Sequence, residues 1–397
     1  MTLSGFALSG LGRELVSSAI EIADKVAGPA SIAVDIEGRF PHESIEALRD
    51  AGLLGAYLPT SVGGAGATMT DIVAIGHVLG TRCGSSAMVF AMHQIQVACL
   101  AHHGLETPAI RKFAERVTAE QLLLASATTE AGVGGDVRSS RCAVEPHGDR
   151  VRLRKDTPVI SYADHADAIL ATARRHVDAP PGDQVICIVE RGNATLTKQS
   201  TWDTLGMRGT CSHGYLLDAD IDADMVLPIP YADISARTML PVSHLTWAGL
   251  WLGIASDALR RTRAYLRTQA RKNPGTIPEA ASDVAKVFGR MESTLAFMTL
   301  SLARYEAMGP LDRLESTPGP TFALQMNTLK TTASAAVADI VRDCMYILGI
   351  AGYKNDTPYS VGRHLRDVHS AAIMVHNERV LHNSGALLCV VKEDVFE

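Results

Sequence analysis

Apolar side chains along this chain change their spacing twice. Over Glu14–Ala27 and Glu43–Gly52 they recur at three- and four-residue steps, which predicts helices with one buried face. Gly63, Gly64 and Gly66 interrupt the pattern as a loop. Apolar helices are then predicted over Thr70–Leu79 and over Ser86–Ala101, the second carrying Met88, Met92, His93 and Gln96. From Leu122 to Ile229 the spacing shortens to β-branched or alternating runs at Val151–Leu153, Ala168–Ala173, Val185–Val189 and Tyr215–Leu217. Gly148-Asp149 and Pro180–Gly182 separate them as turns. Helical spacing returns after Leu240. Leu245, Ala248, Gly249, Leu252, Ala255 and Leu259 mark one face, and Ala333, Val337, Ile340, Val341, Cys344 and Leu348 mark another. Helices, then strands, then helices predict an α+β fold: an N-terminal helical domain over 1–121, a middle β-domain over 122–232 and a C-terminal bundle over 233–397.

Composition narrows the partners. With 47% hydrophobic residues among 397, there is ample material for a core. A net charge of -6 argues against a nucleic-acid partner, which would want a basic face. The longest apolar stretch, Leu245–Ser256, falls short of the ~20 residues of a membrane span. The first charge is Arg13, with no basic segment before an apolar run, so no secretory leader is expected. Seven dispersed cysteines without a CxxC pair read as reduced thiols, and a cytoplasmic location is expected. The run Arg260, Arg261, Arg263, Arg267, Arg271, Lys272 reads as a solvated helix face, or as a phosphate contact near Arg271.

Several chemical signals fail. Gly10-Leu-Gly12 follows no strand and lacks the third glycine of a dinucleotide fingerprint. His102-His103 and the series His364, His369, His376, His382 have no carboxylates at ligand spacing, so no metal site is expected.

One stretch is unusual: TTEAGVGGD, from Thr128 to Asp136, at the start of the β-domain. Small residues and hydroxyls at a strand end let the backbone approach a flat ligand closely. The stretch resembles the TEPGAGSD segment of the acyl-CoA dehydrogenase superfamily, and further segments resemble that family in order. Leu53–Gly66 is similar to its N-terminal loop, Val159-Ile-Ser161 to its WIT strand and Leu205–Thr210 to LGMRGT. Arg271–Gly275 is similar to RKTFG, Leu348–Tyr353 to GGxGY and Arg363–Asp367 to the R…RD element. The resemblance covers nearly the whole chain. It implies an N-terminal helical domain, a middle β-domain and a C-terminal four-helix bundle, with FAD between the last two. A homotetramer or dimer is implied, a neighbouring subunit touching the pyrophosphate and adenine. By position, Thr128, Thr129 and Ser161 would contact the isoalloxazine, Gly134 and Gly135 would line its approach, and Arg271, Gly349 and Asn377 would lie toward the pyrophosphate.

The departures redirect the chemistry. Dehydrogenation needs a carboxylate to remove a proton beside the thioester. The family keeps it nine residues after the arginine of RD; here that position is Val375. An alternative position at the start of a bundle helix is Ser243, followed by His244. Glu378 is the one carboxylate near enough to serve as a displaced base. The family's stacking tryptophan is Val159, its phenylalanine near the adenine is Pro274 and its serine after AG is Gly135. An apolar flavin pocket without a base suits the monooxygenase branch of the superfamily, in which reduced flavin and O2 form a C4a-hydroperoxide. The expected function is therefore flavin-dependent hydroxylation of a small aromatic or heteroaromatic compound such as an indole. Reduced FAD, or FMN, would come from a separate reductase, since no nicotinamide motif is present. His93, Ser161 and His376 are the polar groups expected near the hydroperoxide. The alternatives are an acyl-CoA or acyl-carrier-protein dehydrogenase using Glu378, and a non-catalytic subunit.

Overall fold

The N-terminal stripe folds as α1 (Gly10–Ile22), which passes through a π-helical turn into α2 (Gly28–Glu37). The computed structural model describes residues 5–309 and 319–391. After α3 (His42–Asp50) come α4 (Met69–Gly80), α5 (Gly84–His103) and α6 (Pro108–Ala119). One buried carboxylate organises two helix starts. Asp71 closes a capping box with Thr68 at α4, and it accepts the hydroxyl of Ser9, the N-cap of α1, at 3.0 Å. α5 is buried on almost every face, because it lies between the N-terminal helices, the β-domain and the bundle.

The β-domain holds two small sheets. β1 (Leu124–Ala127) runs parallel to β4 (Ala168–Arg174), which pairs antiparallel with β5 (Gln184–Glu190). β2 (Glu145–His147), β3 (Arg150–Thr157), β7 (Gly214–Asp222) and β6 (Ala194–Ser200) form an antiparallel sheet in the order β2-β3-β7-β6. On β3, Leu153, Lys155 and Thr157 point inward, as the period of two requires. β6 has polar, exposed positions and no apolar run, so the sequence pattern does not reveal it.

The C-terminal bundle comprises α7 (Tyr231–Ile234), α8 (Leu240–Lys272), α9 (Ala281–Ala307), α10 (Pro320–Leu348), α11 (Ile350–Tyr353), α12 (Gly362–Ile373) and α13 (Asn377–Leu388). α8 is buried through Leu259, because α4 and α5 cover the side that α9 and α10 leave open. A Cβ on Gly253 would lie 2.2 Å from the His77 carbonyl, so the α4–α8 contact depends on glycine there. Beyond Leu259 the helix emerges, and Arg260 and Arg261 turn back onto buried Asp257. No helix of the described residues is long and apolar enough to cross a membrane.

Candidate functional site

The loop after β1 is fixed by its own glutamate. Glu130 accepts from Ser140 Oγ (2.6 Å), Cys142 N (2.7 Å), Arg141 N (3.0 Å) and Lys155 Nζ (3.2 Å). Burial opposes its ionisation, but the Ser140 hydroxyl and the Lys155 ammonium hold its pKa below the usual carboxylate range. The loop is thereby closed across its base. Gly132, Gly134 and Gly135, with φ of 81°, 60° and 75°, carry the chain through left-handed backbone. Thr129 Oγ1 donates to the Val159 carbonyl at 2.9 Å, and Thr128 beside it is half-buried.

Ser161 lies on the segment this threonine holds. Ile160 N donates to His213 O (2.9 Å) and Tyr162 N to Thr210 O (2.8 Å). Between them, Ser161 N–H has no backbone acceptor among the described residues. Ser161 Oγ is 2.8 Å from Ser212 Oγ, which is 2.8 Å from Thr210 Oγ1, which donates to Met207 O at 2.9 Å. Among the described residues, His213 Nδ1 is buried without a partner, and burial lowers the ring's pKa.

The bundle reaches this loop through the arginine–aspartate pair of α12. Asp367 accepts from Met207 N at 2.8 Å, and Arg366 donates to Leu205 O at 2.9 Å. A Cβ on Gly206 would sit 2.2 Å from the Arg366 carbonyl. Burial raises the Asp367 pKa to about 6. α12 ends at a corner where Val375 is left-handed (φ 44°) and 44% exposed. Lys330 of α10, fully buried, donates to Val375 O (2.8 Å) and Asn377 Oδ1 (2.5 Å), and Asn377 Nδ2 donates to Ser334 Oγ (3.0 Å). Burial lowers the Lys330 pKa to about 8. Arg379, two residues further, donates to Gly134 O at 2.6 Å and to Gly135 O. Thr128, Thr129, Gly134, Gly135, Ser161, His376 and Asn377 thus belong to one region where the β-domain meets the bundle.

Backbone strain marks the same region. Among the described residues, five non-glycine residues have positive φ, and Tyr162, Met207, Cys211 and Val375 are four of them. Such conformations cost about 1–3 kcal/mol each and persist where the surroundings over-determine them.

Other expected residues lie elsewhere. His93 is wholly buried, its Nε2 facing Leu54 O at 2.8 Å and its Nδ1 accepting from Leu124 N at 2.9 Å. A carbonyl only accepts, so Nε2 carries the proton and neither nitrogen is left for a ligand. His93 therefore joins α5 to β1, contrary to the placement expected from sequence. Its pKa falls to about 4 through burial. Ser243 Oγ donates to Met239 O of its own helix at 2.5 Å. Within the site region, His376 and its near neighbour Glu378 are exposed at the start of α13. Arg271 is exposed at the end of α8, and Gly349 caps α10 with φ 57° and ψ -136°. Among the described residues, no hydrogen bond joins either of them to Ser161. Near them a cleft of about 730 Å³ opens between α8, α9 and α10, lined by Tyr265, Asn273, Arg290, Asp343, Tyr346 and Ile347. Ser212, Thr210, His213 and Lys330 were not singled out from sequence. Lys330 was findable: it lies three residues before Ala333 and seven before Val337, on that helix's apolar stripe.

Residues 12–120 match the acyl-CoA dehydrogenase N-terminal domain and residues 234–380 match the acyl-CoA dehydrogenase C-terminal domain. The chain belongs to the acyl-CoA dehydrogenase family. It is 26% identical over 361 residues to the amino sugar nitrososynthase DnmZ of Streptomyces peucetius, covering 86% of this chain and 84% of that protein. The FMN-bound crystal structure of TdsC, a dibenzothiophene monooxygenase from Paenibacillus sp. A11-2, superposes with a TM-score of 0.81 at 18% identity, covering 94% of this chain and 97% of that one. Butyryl-CoA dehydrogenase of Megasphaera elsdenii superposes equally well, with a TM-score of 0.81 at 21% identity, over 97% of this chain and 99% of that one. The fold is shared by oxygenases and dehydrogenases alike, so the choice between them falls to the site residues.

Proposed function

We propose that this flavoprotein oxidoreductase is a monooxygenase that hydroxylates a small aromatic or heteroaromatic compound such as an indole. The observation that carries the reading is the loss of the base. Val375 stands at one family position, and Ser243, whose hydroxyl is spent on its own helix, stands at the other. Glu378, on which the dehydrogenase alternative depends, is exposed in the first turn of α13.

The residues present fit a flavin. Left-handed Gly134 and Gly135 admit close approach of a flat ring, Ser161 offers an unpaired N–H, and His213 offers an unpaired Nδ1. When bound, a reduced flavin would supply O2 activation. The protein's part is to orient the ring through Thr128, Thr129 and Ser161, to offer His376 as a polar group at the mouth, and to present the apolar wall of Val375. The nitrososynthase relative and the structure of TdsC with FMN and indole favour this branch. We take the cofactor to be FAD or FMN, delivered reduced by a separate reductase in the cytoplasm. The reading includes a homo-oligomer, dimer or tetramer, in which a neighbour's Arg271 and Gly349 positions complete the cofactor site.

The test is single-turnover mixing of the protein and reduced FMN or FAD with isotopically labelled O2 and indole. Label in a hydroxylated product supports the reading. Flavin reoxidation with peroxide alone for every aromatic tried, together with anaerobic conversion of an acyl-thioester to its enoyl form, would overturn it.

A further inference from the structure

Three hydroxyls and one carbonyl form a series from Ser161: Ser161 Oγ, Ser212 Oγ, Thr210 Oγ1 and Met207 O, at successive separations of 2.8, 2.8 and 2.9 Å. Each contact needs one proton between its oxygens. The series has three contacts and three hydroxyl protons, and the carbonyl at its end contributes none. One assignment fills all three: every hydroxyl donates inward, Ser161 to Ser212, Ser212 to Thr210 and Thr210 to Met207. If Ser161 turned its proton outward, one buried oxygen pair would face each other with no proton between them, at a cost of about 1–3 kcal/mol. Ser212 and Thr210 are almost wholly buried, so water does not readily supply the missing proton. The far end is itself fixed. Met207 is held in left-handed backbone, its N–H bound by Asp367, and its carbonyl also receives Trp202 Nε1 and Thr210 N, each at 3.1 Å.

We propose that Ser212 and Thr210 are positioning residues that fix Ser161 as a hydrogen-bond acceptor, so that the site selects the reduced form of its flavin. Ser161, itself only 6% exposed, then has lone pairs alone to offer a ligand, beside an N–H without a backbone acceptor. That pair matches a ligand edge carrying a donor next to an acceptor. At its N5–O4 edge an isoalloxazine carries that pattern only when reduced, because N5 is then an N–H beside the ring carbonyl O4. In the oxidised ring N5 is a bare acceptor, and two lone pairs would oppose each other unless the hydroxyl series reversed. The inference rests on the flavin reading above, and it explains how this fold can take reduced flavin from solution as a substrate and release it once oxidised.

The experiment measures dissociation constants of the full-length protein for FMN and FAD, oxidised and anaerobically reduced, and the midpoint potential of the bound flavin. The wild type is expected to bind the reduced form at least tenfold more tightly, with the potential raised accordingly. Ser212→Ala frees the Ser161 proton to point outward and should lower that ratio fivefold or more, mainly by tightening the oxidised form. Ser212→Thr keeps the hydroxyl and should retain the ratio, which separates the relay from a general packing defect. Thr210→Val, which interrupts the series one step further in, should act in the same direction as Ser212→Ala. Binding of both redox forms with equal affinity, or an unchanged ratio in Ser212→Ala, overturns the proposal while leaving the flavin site standing. Failure of the wild type to bind either form overturns the flavin reading itself.

Discussion

Glu130 and Lys155 form an ion pair of 3.2 Å with both side chains buried, at the base of the loop that carries Gly134 and Gly135. Lys155 also donates to Thr172 O at 2.7 Å, so one ammonium joins β3, β4 and the glycine loop. Removing one partner of such a pair leaves a buried charge and costs about 3–5 kcal/mol. Lys155→Met should lower unfolding stability by that amount, measured by urea titration. A loss under about 1 kcal/mol, no more than an exposed pair contributes, would contradict this role.

The corner at Val375 holds a β-branched residue in a conformation it disfavours, pinned by Lys330, which donates both to the Val375 carbonyl and to Asn377 Oδ1. Val375→Gly should not destabilise the fold and should gain up to ~1 kcal/mol from relief of strain. Lys330→Met strands the Val375 carbonyl and the Asn377 side chain, and should cost about 1–3 kcal/mol. Hydrogen exchange over 374–388 should accelerate in Lys330→Met and not in Val375→Gly. Uniform acceleration across the β-domain would contradict a local role for this lysine.

Stability should fall steeply in mild acid. Burial holds His77, His93 and His364 to a pKa of about 4 and His244 to about 3, all below the 6.5 of the unfolded chain. The unfolded state therefore binds more protons than the folded state between those values. Stability is full above pH 6.5 and is lost as pH falls, by about 1.4 kcal/mol per pH unit for each histidine. Asp367 works in the opposite sense: its pKa, raised from 3.8 to about 6, contributes stability below 3.8 that disappears as pH rises through 6. Four histidines outweigh one carboxyl. The melting temperature should drop between pH 6.5 and 4.5, and a flat profile there would refute the buried neutral histidines.

Much of the architecture was legible because its signals are periodic. The stripes at 245–259 and 333–348 became α8 and α10, and four short apolar runs became β3, β4, β5 and β7. β6 escaped because an exposed edge strand needs no apolar residues. At the site, the order of family-like segments pointed to Thr129, Ser161 and the glycine loop as expected flavin contacts, and in the structure Arg366 and Asp367 hold the Leu205–Thr210 loop that supports Ser161. The error over His93 is instructive. Its helix was foreseen, but its ring is consumed by two backbone groups, at Leu54 and Leu124, that are 39 and 31 residues away in sequence. Hydroxyl series and left-handed corners are likewise products of tertiary contact, with no local pattern to announce them.

The absent base can be tested without knowing the substrate. The protein, loaded with oxidised flavin and kept anaerobic, is mixed with butyryl-CoA and octanoyl-CoA while flavin absorbance is followed. No bleaching is expected from the wild type, because neither Val375 nor Ser243 can take the proton whose removal must accompany hydride transfer. Rapid bleaching by either thioester, abolished in Glu378→Gln, would establish a displaced base and contradict the oxygenase account.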